Sequence, residues 1–114
     1  MLPERVYRCP AWKALSPSAV KVYIAVCTRY YGHNNGQIGF SIRQGAEELG
    51  MAIGTVRKSL KELESKGFLK CQMKGSFGYK KSHSSEWEIT DWPLRTGKPA
   101  TREFTKWRPP KQEK

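Results

Sequence analysis

Two amphipathic helical segments follow each other closely in residues 41–67, and this succession constrains the fold more than any other feature of the sequence. The apolar residues of each segment recur at the spacing of one helix face: Ile42, Ala46 and Leu49 in the first, Val56, Leu60 and Leu63 in the second. Ser41 is a suitable cap for the first segment, over about 42–49, and Gly50 ends it. The second segment begins near residue 52 and ends at Gly67. Helices joined by so short a turn must cross closely.

Local signals predict one more helix and three strands around this pair. Ser16 and Pro17 are typical of a helix start, and the apolar residues that follow predict a helix over about 17–31, with Gly32 as its stop. After an Asn-Asn-Gly turn, residues 37–40 predict a very short strand. Alternating residues predict strands over 68–74 and 86–90, separated by a long loop. The predicted fold class is α+β.

The turn between the two amphipathic segments carries a motif. Ala46 is followed by Gly50 four positions later and by Val56 six positions beyond that. This spacing resembles the helix-turn-helix pattern, which needs a small residue where the helices touch, a residue tolerant of positive φ in the turn and an aliphatic anchor on the second helix. Residues 59–69 look like the end of a recognition helix that runs into a wing strand. The resemblance covers about residues 15–92 and implies a winged helix-turn-helix domain, similar to small bacterial and phage regulators and replication initiators.

The flanking segments differ from this domain in composition. Residues 1–14 are expected to form an N-terminal arm, and residues 93–114 a basic, extended tail that holds four of the seven prolines. No apolar periodicity is sustained in the tail. Its Phe104 and Trp107 stand three positions apart, as in a short docking helix, either for the body of the same domain or for a protein partner.

The charge balance indicates a polyanionic partner. The 114 residues include 21 Lys and Arg against 10 Asp and Glu, for a formal net charge of +11, which favours nucleic acid or an anionic membrane surface. No apolar stretch approaches the roughly 20 residues of a membrane span, and the first residues lack the apolar centre of a signal peptide. Three widely spaced cysteines without a C-x-x-C favour reduced thiols in the cytoplasm and no metal site.

The helix-turn-helix resemblance assigns roles to the second segment and its surroundings. Residues at the start of that helix would face base edges in the major groove: Ala52, Gly54, Thr55 and Arg57. Residues placed to hold the DNA backbone are Ser41, Arg43, Lys58 and Lys61. The wing would add contacts along the backbone or in the minor groove from Lys74, Tyr79, Lys80, Lys81 and His83. For each group the alternative is an ordinary solvated surface, and the serine can serve as a helix cap alone.

Taken together, the residues favour a sequence-preferring double-stranded DNA-binding protein, either a transcriptional regulator or a phage or plasmid replication accessory factor. It is expected to be monomeric or to pair only on DNA, with no membrane partner. The alternative is a winged-helix protein-interaction module, such as a phage- or plasmid-encoded inhibitor of a host nucleoprotein complex; RNA is a third ligand to consider. No phosphate-loop or nucleophile motif occurs, and the two histidines are unconnected, so neither an enzyme nor a cofactor is expected.

Overall fold

Helices and one small antiparallel sheet form an α+β fold in the residues that the computed structural model describes, 4–30, 34–73, 85–92 and 99–107. The helices are α1 (Glu4–Tyr7), α2 (Pro10–Lys13), α3 (Pro17–Cys27), α4 (Ile42–Leu49) and α5 (Ile53–Ser65). The strands are β1 (Ile38–Phe40), β2 (Leu69–Met73) and β3 (Ser85–Ile89), and a 3₁₀ helix spans Glu103–Lys106. The α+β class predicted from the sequence is confirmed.

α3 ends earlier than the sequence predicts. The predicted end near residue 31 is wrong, because the helix stops at Cys27. The hydroxyl of Thr28 and the guanidinium of Arg29 each donate a hydrogen bond of 2.7 Å to the carbonyl of Ala25. Side chains therefore satisfy a carbonyl of the last turn, which is the usual requirement at a helix end. Gly32, the expected stop, lies outside the described residues.

α4 and α5 are joined by three residues, in agreement with the sequence. Gly50 has the left-handed φ of 68°, and the N–H of Met51 donates to the carbonyl of Ala46 at 2.9 Å. Ala52 precedes α5 and makes no side-chain hydrogen bond to it, so the first turn lacks a side-chain cap. Gly67, with a φ of 86°, follows the end of α5. Both glycines stand where the chain must leave a helix in a left-handed conformation.

The sheet has the strand order β1-β3-β2, and both neighbouring pairs are antiparallel. Ile38 of β1 lies opposite Trp87 of β3, and Leu69 of β2 lies opposite Ile89. All four of these side chains are buried, so one face of the sheet contributes directly to the core. The loop between β2 and β3, predicted to be long, falls outside the described residues.

Phe68, between α5 and β2, lies at the centre of an aromatic cluster within the core. Its ring is edge-on to Trp12 at 5.9 Å and to Tyr23 at 5.6 Å, and it stacks on Phe104 at 5.0 Å. Phe104 is fully buried. The 3₁₀ helix of the tail is therefore packed on its own domain, which is one of the two alternatives that the sequence left open.

Residues from both flanking segments converge on Asp91, two positions after β3. The Asp91 carboxylate is 2% exposed and accepts two hydrogen bonds from Arg5 of α1, at 2.9 and 3.0 Å, and one from Arg102, at 3.1 Å. Val6 and Ala11 anchor α1 and α2, since both side chains are fully buried. We call the three charged residues the Asp91 clasp, because they hold the beginning and the end of the described chain against the same point.

Candidate nucleic-acid interface

The inner face of α5 is held against the core. Its buried side chains recur at helical spacing: Val56, Ser59, Leu60 and Leu63. The hydroxyl of Ser59 donates to the carbonyl of Thr55 at 2.8 Å, so this buried polar group is satisfied within the helix. α3, α4 and β2 all pack against α5. The opposite face of α5 is left to solvent in a fixed orientation.

A polar link between α3 and α5 reinforces that orientation. Glu62 accepts hydrogen bonds from the backbone N–H and the hydroxyl of Ser16, at 2.9 and 2.8 Å. The same hydroxyl accepts a hydrogen bond from the Ala19 N–H, so Ser16 caps α3 while it binds α5. Burial by itself would raise the pKa of Glu62, but the hydrogen bonds from Ser16 and the charge of Lys66 outweigh burial and hold this pKa below its ordinary value. The carboxylate is therefore ionised at neutral pH.

The outward face of α5 carries a run of basic side chains. Gly54, Arg57, Lys58 and Lys61 are all exposed and lie at i, i+3, i+4 and i+7, which places them on one side of the helix. None of the three cations forms an ion pair with any residue in the described part of the chain. Lys66, at the far end of α5, does pair with a carboxylate. We call these three unpaired side chains the α5 basic face.

The first turn of α5 is open to solvent. Ala52 and Gly54 are exposed, and a Cβ added to Gly54 would meet nothing within 4 Å. Ile53 stands between them with 42% of its surface exposed. Glycine inside a helix costs roughly 0.5–1 kcal/mol relative to alanine. Packing among the described residues gives no reason for a glycine here, whereas close approach of a partner would.

Thr55 lies apart from the other residues predicted to contact bases. It is part-buried and lines a cleft of about 570 Å³ between the start of α3 and the middle of α5. Lys58 and Lys61, predicted to hold phosphates, line the same cleft. The structure thus brings Thr55 together with the two lysines and leaves Arg57 outside the cleft. The sequence, by contrast, predicts that Thr55 and Arg57 contact bases together.

The start of α4 adds one more exposed cation. The hydroxyl of Ser41 accepts a hydrogen bond from the Gln44 N–H at 3.3 Å, so the serine serves as a helix cap. Arg43 is exposed and forms no ion pair with a described residue. α4 packs against α5, which places this arginine on a helix that neighbours the α5 basic face.

The remaining predicted positions divide between the tail and the wing. The proposed wing residues all lie outside the described part of the chain: Lys74, Tyr79, Lys80, Lys81 and His83. Trp107 of the tail is part-buried, and the ammonium of Lys66 lies 5.3 Å from the centre of its ring. Together with the burial of Phe104, this contact places both aromatic side chains of the tail against the domain itself.

The Cys27 thiol of α3 is stabilised in its neutral form. Burial raises the pKa of the Cys27 thiol to about 11, even though a hydrogen bond with Tyr23 lowers it. The thiol is therefore protonated at neutral pH and a poor nucleophile. Among the described residues, no group of three or more His, Cys, Asp or Glu side chains is arranged to hold a metal ion.

The structure draws attention to two residues that the sequence pattern does not single out, Ile53 and Asp91. Ile53 lies off the buried stripe of α5, and an apolar residue outside such a stripe is the signal that would have found it. Asp91 is the single aspartate of the sequence. Its partners are 86 and 11 positions away, a pairing that no local pattern reveals.

Comparison with protein-family models, with curated proteins and with solved structures gives no match for this chain. None of the helices in the described part of the chain combines the length and the apolar character that crossing a bilayer requires.

Proposed function

We propose that the chain is a winged-helix protein that binds double-stranded DNA with α5 as its recognition helix. It would act as a transcriptional regulator or as an accessory factor in the replication of a phage or plasmid. The element order α3-β1-α4-α5-β2-β3, with β1 completing the sheet, supports the winged-helix assignment. The observation that carries the proposal is the α5 basic face, exposed and unpaired on a helix whose other side is anchored in the core.

Lysine and arginine side chains without an ion-pair partner bind a polyanionic ligand more readily than paired ones. A lysine or arginine already held by a carboxylate must break that pair before it can bind a phosphate. A free one only releases the counterions around the DNA, which is favourable. Arg57, Lys58 and Lys61 are free of ion pairs to the described residues, and the stretch 52–61 contains no acidic residue.

The residues at the start of α5 are proposed to contact the DNA bases. Arg57 would contact guanine in bidentate fashion, while the apolar side chains of Ala52 and Ile53 would lie near thymine methyl groups. Gly54 would let the DNA approach the helix closely. These four residues share the exposed first turns of α5, where recognition helices contact base edges.

The side chains of the cleft and of the start of α4 are proposed to bind DNA phosphates. Lys58 and Lys61 line the cleft beside the hydroxyls of Ser18 and Thr55, and these side chains would hold one DNA strand. Arg43 would bind a phosphate at the start of α4. Thr55 is thereby reassigned from base reading to the backbone.

Duplex binding across a salt series tests the proposal. Log K is expected to fall with log salt by about 0.9 for each phosphate neutralised. The double variant Arg57→Ala/Lys58→Ala should bind at least roughly tenfold more weakly and with a shallower slope. The matched control is Lys13→Ala/Lys106→Ala, which also removes two exposed cations that are unpaired among the described residues, from α2 and the 3₁₀ helix.

Arg57 and Lys58 are expected to differ in how much each contributes to the preference for particular DNA sequences. On duplexes selected from a random pool, Arg57→Ala should lose about 1–3 kcal/mol of discrimination, because it removes a base contact. Lys58→Ala should weaken all duplexes about equally. The proposal fails if no duplex binding is measurable at about 50 mM salt, the low end of the range over which such affinities are compared. It also fails if the α5 and control double variants weaken binding equally.

A further inference from the structure

An apolar groove runs between the N-terminal helices and α3. It is about 420 Å³ in volume, and its apolar lining consists of Tyr7, Trp12, Leu15, Pro17 and Val20. None of its lining residues also lines the cleft beside α5. The two sites nevertheless meet at the start of α3, where Leu15 and Pro17 line the groove and Ser16 and Ser18 line the cleft.

Large apolar side chains are exposed in the groove, at Tyr7, and next to it, at Ile24. Tyr7 is 60% exposed, and Ile24 is 54% exposed. Ile24 follows Val20 by one helical turn, so it continues the same apolar surface along α3. Contiguous apolar surface on a soluble domain is typical of interaction sites.

The floor of the groove is rigid. Trp12 packs edge-on against Tyr23 and Phe68, with ring centroids 5.9 Å apart in both pairs. These partners are buried in the core, so the indole is fixed before any ligand arrives. A preformed site binds at a lower entropic cost than one that must order its side chains.

The charges around the groove select its occupant. Lys13 lines the groove and Lys21 stands on α3 between Pro17 and Ile24, and neither forms an ion pair with a described residue. Arg8, also in the lining, is paired with the nearby Glu4 on the exposed surface of α1. A second copy of the chain docked through the same groove would bring lysines against lysines. A partner that carries carboxylates beside apolar side chains would match both features.

We propose that this groove docks an acidic amphipathic helix of a protein partner. Apolar side chains of the partner at i, i+3, i+4 and i+7 would fill the groove over Trp12 and Val20. Its Asp and Glu residues would lie against Lys13 and Lys21. The inference rests on the N-terminal surface alone and does not depend on DNA binding by α5.

Titration of the ¹⁵N-labelled full chain with synthetic peptides tests this proposal. The probe is a set of peptides of about 15 residues, near the length at which isolated helices become stable, with Leu and Phe on one face and Glu on the others. A matched set carries Lys in place of Glu. The acidic set should bind saturably and shift the resonances of α1, α2 and α3, and the lysine set should not.

Surface variants define the groove further. Ile24→Ser should weaken the acidic peptides roughly tenfold, and Lys13→Glu/Lys21→Glu should do the same without altering the apolar floor. Arg57→Ala/Lys58→Ala should leave peptide binding unchanged. All of these side chains are exposed, and a thermal unfolding curve confirms that each variant is folded.

Three outcomes would overturn the proposal. The first is the absence of binding by every acidic peptide, or equal binding by the lysine set. The second is a shift pattern confined to α4 and α5, because the peptides would then be replacing nucleic acid. The third is a concentration-dependent dimer in sedimentation that Ile24→Ser returns to monomer, which would make a second copy the occupant.

Discussion

At the scale of single residues, the two glycines at the opposite ends of α5 are under different constraints. Gly67 has a φ of 86°, and a Cβ there would come within 2.7 Å of the backbone of Glu103 and Phe104. Gly54 is helical, and a Cβ there would meet nothing within 4 Å. Gly67 is thus required by the fold, because the backbone of the tail packs directly on it. The fold imposes no such requirement on Gly54.

Substitution by alanine should separate these two cases. Gly67→Ala is expected to destabilise the protein by about 1–3 kcal/mol, since it combines an unfavourable φ with a clash against backbone that must move. Gly54→Ala should stabilise it by roughly 0.5–1 kcal/mol through helix propensity. Urea unfolding of both variants measures the difference. Equal stability of the two variants would contradict the close approach of the tail to Gly67.

At the scale of elements, two hydrogen bonds from Ser16 to Glu62, one from the backbone N–H and one from the hydroxyl, join the start of α3 to α5. The sequence indicates Ser16 as a helix cap, and the structure confirms this role. It also gives the cap a second role, since Ser16 donates to a carboxylate 46 positions away. α5 is therefore oriented both by apolar burial and by a polar contact with the beginning of α3, next to the cleft assigned to phosphate.

The depressed pKa of Glu62 predicts a pH dependence of stability. A carboxyl group with a lower pKa in the folded state stabilises the fold above its unfolded pKa, ordinarily 4.5, and loses this contribution as the pH falls through the folded value. Glu62→Gln should therefore be less stable than wild type by about 1–2 kcal/mol near pH 7. The difference between the two proteins should narrow below pH 4.5.

Glu64→Gln provides the matched control for this experiment. Glu64 is exposed on the same helix and pairs with no cation among the described residues, so its replacement should change stability by less than about 0.5 kcal/mol at any pH. Chemical unfolding at a series of pH values measures all three proteins. A gap between wild type and Glu62→Gln that stays constant from pH 7 to about pH 3, below the ordinary carboxyl pKa, would contradict the assigned hydrogen bonds.

At the scale of the whole molecule, the Asp91 clasp unites segments that the sequence separates into arm, domain and tail. Arg5 and Arg102 are each about half exposed, at 49% and 46%, while the carboxylate they share is 2% exposed. A buried carboxylate is costly unless several donors satisfy it, and three hydrogen bonds do so here. The clasp therefore couples the N-terminal helices to the 3₁₀ helix of the tail.

Removing the carboxylate charge should release both ends together. Asp91→Asn is expected to cost about 1–3 kcal/mol, because the amide cannot accept all three charged hydrogen bonds. Hydrogen exchange should rise in residues 4–13 and 99–107 at once. Glu48→Gln is the control: it removes an exposed carboxylate that also binds an arginine, Arg29, and should cost less than about 1 kcal/mol. Loosening of one terminus without the other would disprove the coupling.

The sequence predicts the central elements well because their signals are local. The caps, stripes and glycines of α4 and α5 lie within a few residues of each other, and both helices occupy the predicted ranges to within about two residues. The end of α3 is wrongly predicted, since the side chains of Thr28 and Arg29 close the helix before its apolar pattern stops. For the candidate interface, the basic positions follow from the sequence, but the separation of Thr55 from Arg57 does not, because it depends on how α3 packs against α5.

By itself, the sequence determines the α+β class, the closely joined helix pair and the excess of positive charge, since each follows from local spacing or from composition. Tertiary structure alone decides which cations remain unpaired, that Phe104 belongs to the core, and that Arg5 and Arg102 meet at Asp91. These facts depend on contacts between residues far apart in the chain. Local propensity carries no information about such contacts, and only packing in three dimensions brings them about.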